Sequence, residues 1–229
     1  MTTVAVVTGA SGGIGSAIRS VLERSGDYDR VIGFSRSSEP ALDLLDETSI
    51  RECAALAGDT GGTIGLVFDA TGALTLNGSR PEKSLRELDP VSLARSFAVN
   101  AIGPALLMKH FLPLLPKSGR SVFATLSARV GSIGDNRLGG WYAYRASKAG
   151  LNQLVHTAAV ELARGKPEAV CVALHPGTVR TPLAEGFAKN GLQVQEPEQS
   201  ARRLLDVVRG LEPAQSGGFF DQQGDIIPW

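Results

Sequence analysis

A tyrosine and a lysine placed four residues apart, Tyr144 and Lys148, are the two residues whose types and spacing most clearly suggest chemistry. Residues i and i+4 lie on one face of a helix. The residues that continue this face are apolar: Leu151, Val155, Ala158 and Leu162. The pattern therefore predicts a buried face with the phenol and the ammonium at its open end, where the cation would lower the pKa of the tyrosine from about 10. Such a pair can deliver a proton to a bound molecule.

A glycine-rich loop near the amino terminus is the second chemical feature. It lies between the apolar run 3–8 and a helical pattern, and its spacing is G-x-x-x-G-x-G rather than the commoner G-x-G-x-x-G. Glycine permits positive φ and close approach of a phosphate, and the unpaired N–H groups of a helix start face an anion. The loop is therefore predicted to bind a dinucleotide through Gly9, Ser11, Gly12, Gly13, Ile14 and Gly15.

These two segments, at this separation, resemble the classical short-chain dehydrogenase/reductase family over nearly the whole chain. The resemblance rests on Thr8-Gly9-x-x-x-Gly13-x-Gly15 and Tyr144-x-x-x-Lys148. The stretches 126–132 and 139–145 are most similar to the branch of small carbonyl reductases related to Sniffer and C-factor. The resemblance implies hydride transfer between a nicotinamide cofactor and a small-molecule carbonyl or alcohol. A cofactor-binding regulatory protein of the C-factor type, with little turnover, is the alternative.

The resemblance also implies roles for four catalytic residues. Tyr144 is the general acid/base, and Lys148 holds the nicotinamide ribose and lowers the pKa of the phenol. Ser127 orients the carbonyl oxygen of the substrate. Asn100 holds a proton-relay water on its main-chain carbonyl, and it also belongs to the expected cofactor site together with Tyr144 and Lys148.

The choice of the catalytic serine is open at this point. Many relatives have two serines where this chain reads Ser127-Ala128, and the interval to Tyr144 contains a small insertion at 137–140. Ser127 is the preferred candidate, and Ser132 is the second.

Asn100 interrupts the apolar face of a helix that is predicted to begin after Asp89-Pro90. Asp89 is a good N-cap, and Pro90 suits the first helical position. Pro104 has no N–H, so the carbonyl of Asn100 loses its helical donor. A satisfied core asparagine and an asparagine with a free acceptor for water are both consistent with this pattern.

The end of the second strand-like run decides between the two nicotinamide cofactors. An NAD enzyme usually places an acidic residue there, because it binds the ribose 2′-hydroxyl and repels a 2′-phosphate. This chain has Ser35 followed by Arg36, which can bond a phosphate. NADP(H) is therefore the preferred cofactor, with NAD(H) possible.

Further cofactor contacts are implied by the resemblance at three places. They are Asp43 and Leu44 after the second strand, Ala70 and Gly72 where the family has N-N-A-G, and Pro176, Gly177, Val179 and Thr181 in a stretch similar to the family's P-G-x-V-x-T. A solvated loop carboxylate is nearly as good an interpretation of Asp43, and Asp69 is expected to be structural.

The elements that must position these residues alternate between strands and helices. Strand-like runs recur near 3–8, 30–35, 64–70, 120–126, 169–175 and 217–221, with a possible short edge strand at 41–43. The pattern predicts an α/β fold, a single domain over 1–229 with a doubly wound Rossmann-type parallel sheet and helices on both faces. Ligands bind beyond the carboxyl ends of such strands. A short substrate loop at about 182–199 predicts an open pocket, with Trp141 and Phe187 either as its walls or, equally, as core or interface residues.

Composition excludes several classes of function. Lys plus Arg and Asp plus Glu are 23 each, so no net field attracts nucleic acid or a membrane. No apolar run is expected to approach a membrane span, and the expected location is cytoplasmic. Two distant cysteines and three scattered histidines give no metal site. Family likeness implies a homodimer or homotetramer.

Overall fold

The computed structural model describes residues 2–76, 78, 80–181 and 194–229, and six of the eight strands in these ranges form one large parallel sheet. The eight strands are β1 (Thr3–Thr8), β2 (Arg30–Phe34), β3 (Thr63–Asp69), β4 (Ser121–Leu126), β5 (Ala169–His175), β6 (Thr178–Val179), β7 (Val194–Gln195) and β8 (Phe219–Asp221). The order in the sheet is β2-β1-β3-β4-β5-β8, and β6 pairs with β7 separately. The order reverses at β1 and β3, where a parallel sheet opens a crevice for ligands.

Six α-helices in the described ranges connect the strands. They are α1 (Gly13–Ser25), α2 (Glu47–Gly58), α3 (Pro90–Phe97), α4 (Gly103–Phe111), α5 (Tyr142–Gly165) and α6 (Pro197–Gly210), with a π-turn (Ala98–Ile102) between α3 and α4. Asp89 caps α3 by accepting a hydrogen bond from the backbone N–H of Ser92 (2.7 Å), and Pro90 occupies the first turn. Both features agree with the predicted helix start.

The core lies on both sides of the sheet. Val4 and Val6 of β1 face one cluster that includes residues of α2, α4 and α5, and Ala5 and Val7 face another that includes residues of α1 and α6. Each large apolar side chain that is buried in these clusters stabilises the fold by about 1.5–3 kcal/mol. The predicted doubly wound α/β fold with helices on both faces is confirmed.

Two details of the structure differ from the prediction. The segment 41–43 is not a strand: the backbone N–H of Leu42 bonds the carbonyl of Ser35 (2.8 Å), which folds the segment into a loop. On α5, Ala158 is only partly buried and packs at the edge of the core cluster, whereas its neighbour Ala159 is buried.

The helical run Pro90–Leu114 also differs from expectation. It has 25 residues and contains an 18-residue window with a mean hydropathy of 1.4, so it is long and apolar enough to cross a membrane by length and composition alone. The expectation that no apolar run approaches that length is therefore wrong. Leu107 and Phe111 of this run are fully buried in the core cluster on one face of the sheet. Packing in the core therefore explains why the run contains large apolar side chains.

Candidate active site

The glycine loop forms a tight cradle between β1 and α1. Gly9 has a φ of 71°, and its carbonyl accepts a hydrogen bond from the N–H of Gly12 (2.9 Å). A Cβ on Gly15 would overlap the Gly9 carbonyl, and a Cβ on Gly13 would lie 2.7 Å from Cγ2 of Thr181. Side chains at these positions would fill the cradle, so the glycines are needed for this backbone path.

The amino terminus of α1 fits an anionic group. Gly12 is its N-cap and supplies no side-chain acceptor, whereas Asp46 and Asp89 cap α2 and α3. The first N–H groups of a helix need acceptors, and the helix dipole favours a negative charge there. The predicted cradle residues therefore suit the pyrophosphate of a dinucleotide.

Tyr144 and Lys148 lie in the first two turns of α5, with their side chains close together. The Lys148 ammonium is 6.0 Å from the centre of the Tyr144 ring, and it donates a hydrogen bond to the carbonyl of Leu126 (2.7 Å) at the end of β4. Lys148 is only 2% exposed, and Tyr144 is half-buried with its ring edge against Trp141. The predicted inward-pointing pair is present.

The ionisation of this pair differs from the expectation. Burial raises the pKa of Tyr144 to about 12, so the predicted lowering by Lys148 is wrong for the protein without a cofactor. Burial also lowers the pKa of Lys148 to about 8, and the negative charge of Asp69 opposes this effect. Loss of hydration disfavours the charged form of both groups, and at 6.0 Å the ammonium does not outweigh it for the phenol.

Asn100 lies in the π-turn and is fully buried. Its amide donates to the carbonyl of Ala73 (2.8 Å) and accepts from the N–H of Ala73 (2.9 Å), which fixes the chain after β3. A Cβ on Gly72 would be 3.2 Å from both Lys148 Nζ and Asn100 Oδ1, so Gly72 brings these two side chains together. The asparagine is thus a satisfied buried amide beside the lysine.

The two candidate serines have different environments. Ser132 donates to the carbonyl of Pro228 and accepts from the N–H of Asp135 (3.0 Å), so its hydroxyl is engaged in the fold. Ser127 follows β4 directly, and its hydroxyl donates to Oδ1 of Asn152 (2.6 Å). These contacts favour Ser127 over Ser132.

Sequence reasoning missed Asn152 as the partner of Ser127. It lies four residues after Lys148 on the buried face of α5 and is 2% exposed. An asparagine between Lys148 and Val155 interrupts an apolar face, and that was the available signal. Its Nδ2 is buried without a partner among the described residues.

Two further residues hold the start of α5. Glu82 is 8% exposed, its carboxylate accepts from the N–H of Ala143 (3.2 Å), and its carbonyl accepts from the N–H of Trp141 (2.5 Å). Trp141 adopts a φ of 53°, which is unusual for a residue other than glycine. Arg145 bonds the carbonyls of Gly139 (3.1 and 3.3 Å) and Gly140 (2.9 Å) and so ties the inserted loop to α5. These contacts fix the turn that presents Tyr144.

The residues predicted to bind the adenosine half lie around the carboxyl end of β2. Ser35 is buried in a tight turn, in which Ser38 donates to its carbonyl (2.8 Å), and Arg36 is exposed. Asp43 is exposed, and its carboxylate accepts from the N–H of Leu45 (2.9 Å). The contact explains Asp43 as a turn-forming residue, and Leu44 is half-buried and lies close to Gly103.

The remaining predicted cofactor residues follow β3 and β5. Ala70 lies against Gly9, and a Cβ added to that glycine would be 2.9 Å from its carbonyl carbon. The carbonyl of Pro176 accepts from Gln195 (2.8 Å) and Ser200 (2.9 Å). These bonds fix the turn in which Gly177 has a φ of 76°, just before β6 with Val179.

Most of the predicted substrate loop lies outside the described residues. The gap spans 182–193, so the expected pocket wall at Phe187 is not described. Thr181 is the last residue before this gap and contacts the glycine cradle. Within the described ranges, no group of three or more His, Cys, Asp or Glu residues could hold a metal ion, and both cysteines are buried free thiols.

A family model described as "Enoyl-(Acyl carrier protein) reductase" matches residues 31–208 of this chain. The chain belongs to the short-chain dehydrogenase/reductase family. It is therefore an oxidoreductase in type, as the two motifs and the predicted fold indicated.

Three similar proteins agree with this family assignment. A dehydrogenase of Rhodococcus sp. (strain AD45) named for 1-hydroxy-2-glutathionyl-2-methyl-3-butene is 31% identical over the full length of both chains. The "C-signal" of Myxococcus xanthus is 40% identical over 64% of this chain and 84% of its own. The crystal structure of an NADPH-bound carbonyl reductase from chicken fatty liver has a TM-score of 0.85 and 25% identity, and it covers 100% of this chain and 94% of its own. The resemblance to small carbonyl reductases is confirmed.

Proposed function

We propose that this protein reduces the carbonyl group of a small molecule with NADPH and oxidises the alcohol in the reverse direction. The observation that carries the proposal is the convergence of Tyr144, Lys148, Asn100 and Ser127 at the carboxyl ends of β3 and β4. The glycine cradle of β1 lies next to this group, since Gly9 contacts Ala70. The NADPH-bound carbonyl reductase of similar structure supports the same cofactor and substrate class.

In this mechanism Tyr144 is the proton donor. Its pKa of about 12 keeps the hydroxyl protonated at neutral pH, so it can act as an acid in the direction of reduction. When bound, NADPH would supply the hydride that the carbonyl carbon receives. The Tyr144 hydroxyl gives its proton to the carbonyl oxygen. The phenolate left on Tyr144 is stabilised by the Lys148 ammonium and is then reprotonated from solvent. The main-chain carbonyl of Asn100 is proposed to hold the water that begins this relay.

Ser127 must change its hydrogen bond to take part. Its hydroxyl proton points at Asn152 in the protein alone, and rotation about the Cβ–Oγ bond would redirect it to the substrate oxygen. The Asn152 amide must turn as well, because its oxygen can only accept; its Nδ2, which has no partner among the described residues, can then donate to the serine oxygen. Such directed donors are strongest where developing negative charge is shielded from water.

Preference for NADPH is proposed to depend on Arg36. Within the described chain, Arg36 is exposed and forms no ion pair, and the neighbouring Ser35 carries no charge that would repel a 2′-phosphate. A hydrogen bond to a charged group contributes about 1.5–3 kcal/mol, so Arg36→Ala should lower the ratio of kcat/KM for NADPH over NADH by roughly 10- to 100-fold. An unaltered ratio would contradict this assignment.

The direct test of the function has two stages. Fluorescence titration should first show NADPH binding, and a panel of aldehydes, ketones and quinones should then show NADPH oxidation at pH 7. If NADPH binds but no compound of the panel causes its oxidation, the protein is not a carbonyl reductase of this kind. Absence of binding would remove the cofactor assignment as well.

A regulatory protein with little turnover is the second candidate function. The "C-signal" relative, at 40% identity, favours it, as does the engagement of the Ser127 hydroxyl with Asn152. This candidate predicts NADPH affinity with negligible turnover, and the two-stage test therefore separates it from the reductase.

We also propose an oligomeric state and a cellular location for this protein. We expect a homodimer or homotetramer, which size-exclusion chromatography with light scattering would measure. A cytoplasmic location is expected, and cell fractionation would test it.

A further inference from the structure

Asp69 is a fully buried carboxylate at the end of β3, in the middle of the sheet. Its Oδ1 accepts hydrogen bonds from the hydroxyl of Thr8 (2.8 Å) and from the N–H (3.0 Å) and hydroxyl (2.6 Å) of Thr71. Its Oδ2 accepts from the hydroxyl of Thr125 (2.6 Å) on β4. Four donors thus converge on two oxygens, which is the environment of an ionised carboxylate.

The charge of Asp69 lacks a contacting counterion. No basic side chain of the described ranges forms an ion pair with it. An isolated buried charge is costly, and the hydrogen bonds offset this cost in part. The Lys148 ammonium is also almost fully buried, and Asp69 is the charged group that acts on it through space. The end of β4 links the two groups, because Thr125 donates to the Asp69 carboxylate and the next residue, Leu126, accepts from the Lys148 ammonium.

The chain path explains how they meet. Asp69, Ala70, Thr71 and Gly72 are consecutive, and Gly72 approaches both Lys148 Nζ and the amide of Asn100. The groups around the ammonium are the Leu126 carbonyl on β4, the phenol of Tyr144 on α5, the Asn100 amide of the π-turn and the carboxylate at the end of β3. Of these groups only Asp69 carries a charge that stabilises the ammonium at neutral pH.

We propose that Asp69 is a positioning residue of the active site, a buried anion that keeps Lys148 charged while it holds the strand ends together. The inference rests on the proposed function, since it concerns the lysine of the same site. The threonines of β1 and β4 act on Lys148 indirectly, because their hydroxyls donate hydrogen bonds to the Asp69 carboxylate. Without this anion, burial alone would favour neutral Lys148, and Tyr144 would lose its electrostatic support.

Asp69→Asn tests the charge with little change of shape. Oδ1 can still accept from Thr71, and the new amide can donate to the Thr125 hydroxyl, which can also accept. In the pH profile of kcat/KM for reduction, the basic limb is the part in which activity falls as pH rises. In Asp69→Asn this limb should move to lower pH by about one pH unit. Thr125→Val is the matched control, because it removes one hydrogen bond to Asp69 but keeps the charge, and its basic limb should move much less than that of Asp69→Asn. An unmoved limb in Asp69→Asn, or equal shifts in both variants, would overturn the proposal.

A double-mutant cycle gives a readout that needs neither cofactor nor substrate. Asp69→Asn and Lys148→Met are compared singly and together by urea unfolding at pH 7. The proposal predicts that the double variant is less destabilised than the sum of the single variants, because each single change leaves an unbalanced charge. Additive effects would contradict it.

The cycle also remains decisive if a variant or the proposed function fails. If Asp69→Asn does not fold, recovery of folding in the double variant supports the charge pair, and persistent unfolding overturns it. If the wild type reduces no carbonyl, the proposed function fails while the cycle still tests the pair.

Discussion

The depressed pKa of Lys148 makes the stability of the cofactor-free protein depend on pH. The folded value is about 8, whereas the ordinary lysine value is 10.5. Between these two values the unfolded chain binds a proton that the folded protein does not, so stability rises as pH rises. Lys148 is 2% exposed, and the effect is therefore not reduced by solvent screening.

Lys148→Met removes the titrating ammonium group and keeps an unbranched side chain of similar length. Integration of the linkage relation from pH 7 to pH 9 gives about 1.4 kcal/mol of stability gained by the wild type from this group. The thiols of Cys53 and Cys171, whose pKa values are raised to about 11 and about 12, lower stability in the upper part of this range. They are common to both proteins, so the difference between wild type and variant isolates the lysine.

The assay is urea unfolding followed by circular dichroism at pH 7, 8 and 9 without cofactor. The free energy of unfolding of the wild type, minus that of Lys148→Met, should rise by about 1.4 kcal/mol across the range. Lys117→Met, which changes an exposed lysine, is the control and should follow the wild type. A constant difference between wild type and Lys148→Met would refute the reasoning that burial disfavours the ammonium.

Two other predictions come from neighbouring residues. A Cβ on Gly131 would lie 2.8 Å from Cβ of Lys148. Gly131→Ala should therefore displace α5, lower the free energy of unfolding in urea by about 1–3 kcal/mol and lower turnover. Gly165→Ala is the control and should have none of these effects, because a Cβ there would meet nothing within 4 Å. Burial and the charge of Arg129 lower the pKa of His175 to about 4 from 6.5, so the unfolded chain binds the extra proton between these values. Stability should therefore fall on acidification from pH 6.5 to 4, and less so in His175→Asn; equal acid sensitivity would contradict the assignment.

The sheet was predictable because its strands are buried on both faces and read as continuous apolar runs. The same holds for the Tyr144 and Lys148 pair, whose spacing places both side chains on one helix face. The segment 41–43 was mistaken for a strand because its composition suits one, but a backbone bond from Leu42 to Ser35 decides its path. The composition of a short segment does not show which distant backbone group it will bond.

The supports of the site were not predictable from local patterns. Glu82 reaches the start of α5 across 61 residues of sequence, and Ser127 meets Asn152 across 25. The direction of the Tyr144 pKa was also wrong, because spacing gives the neighbour of a group but not the extent to which water is excluded from it. Loss of hydration is a property of the folded molecule.

Tyr144→Phe removes the hydroxyl that is proposed to donate the proton and keeps the aromatic ring in place. The variant should still bind NADPH and should lose at least about 100-fold in kcat, since a positioned acid contributes roughly 10²–10⁴-fold. Tyr142→Phe, an exposed tyrosine two residues earlier, is the matched control and should keep its turnover. Near-normal turnover in Tyr144→Phe would mean that another group donates the proton.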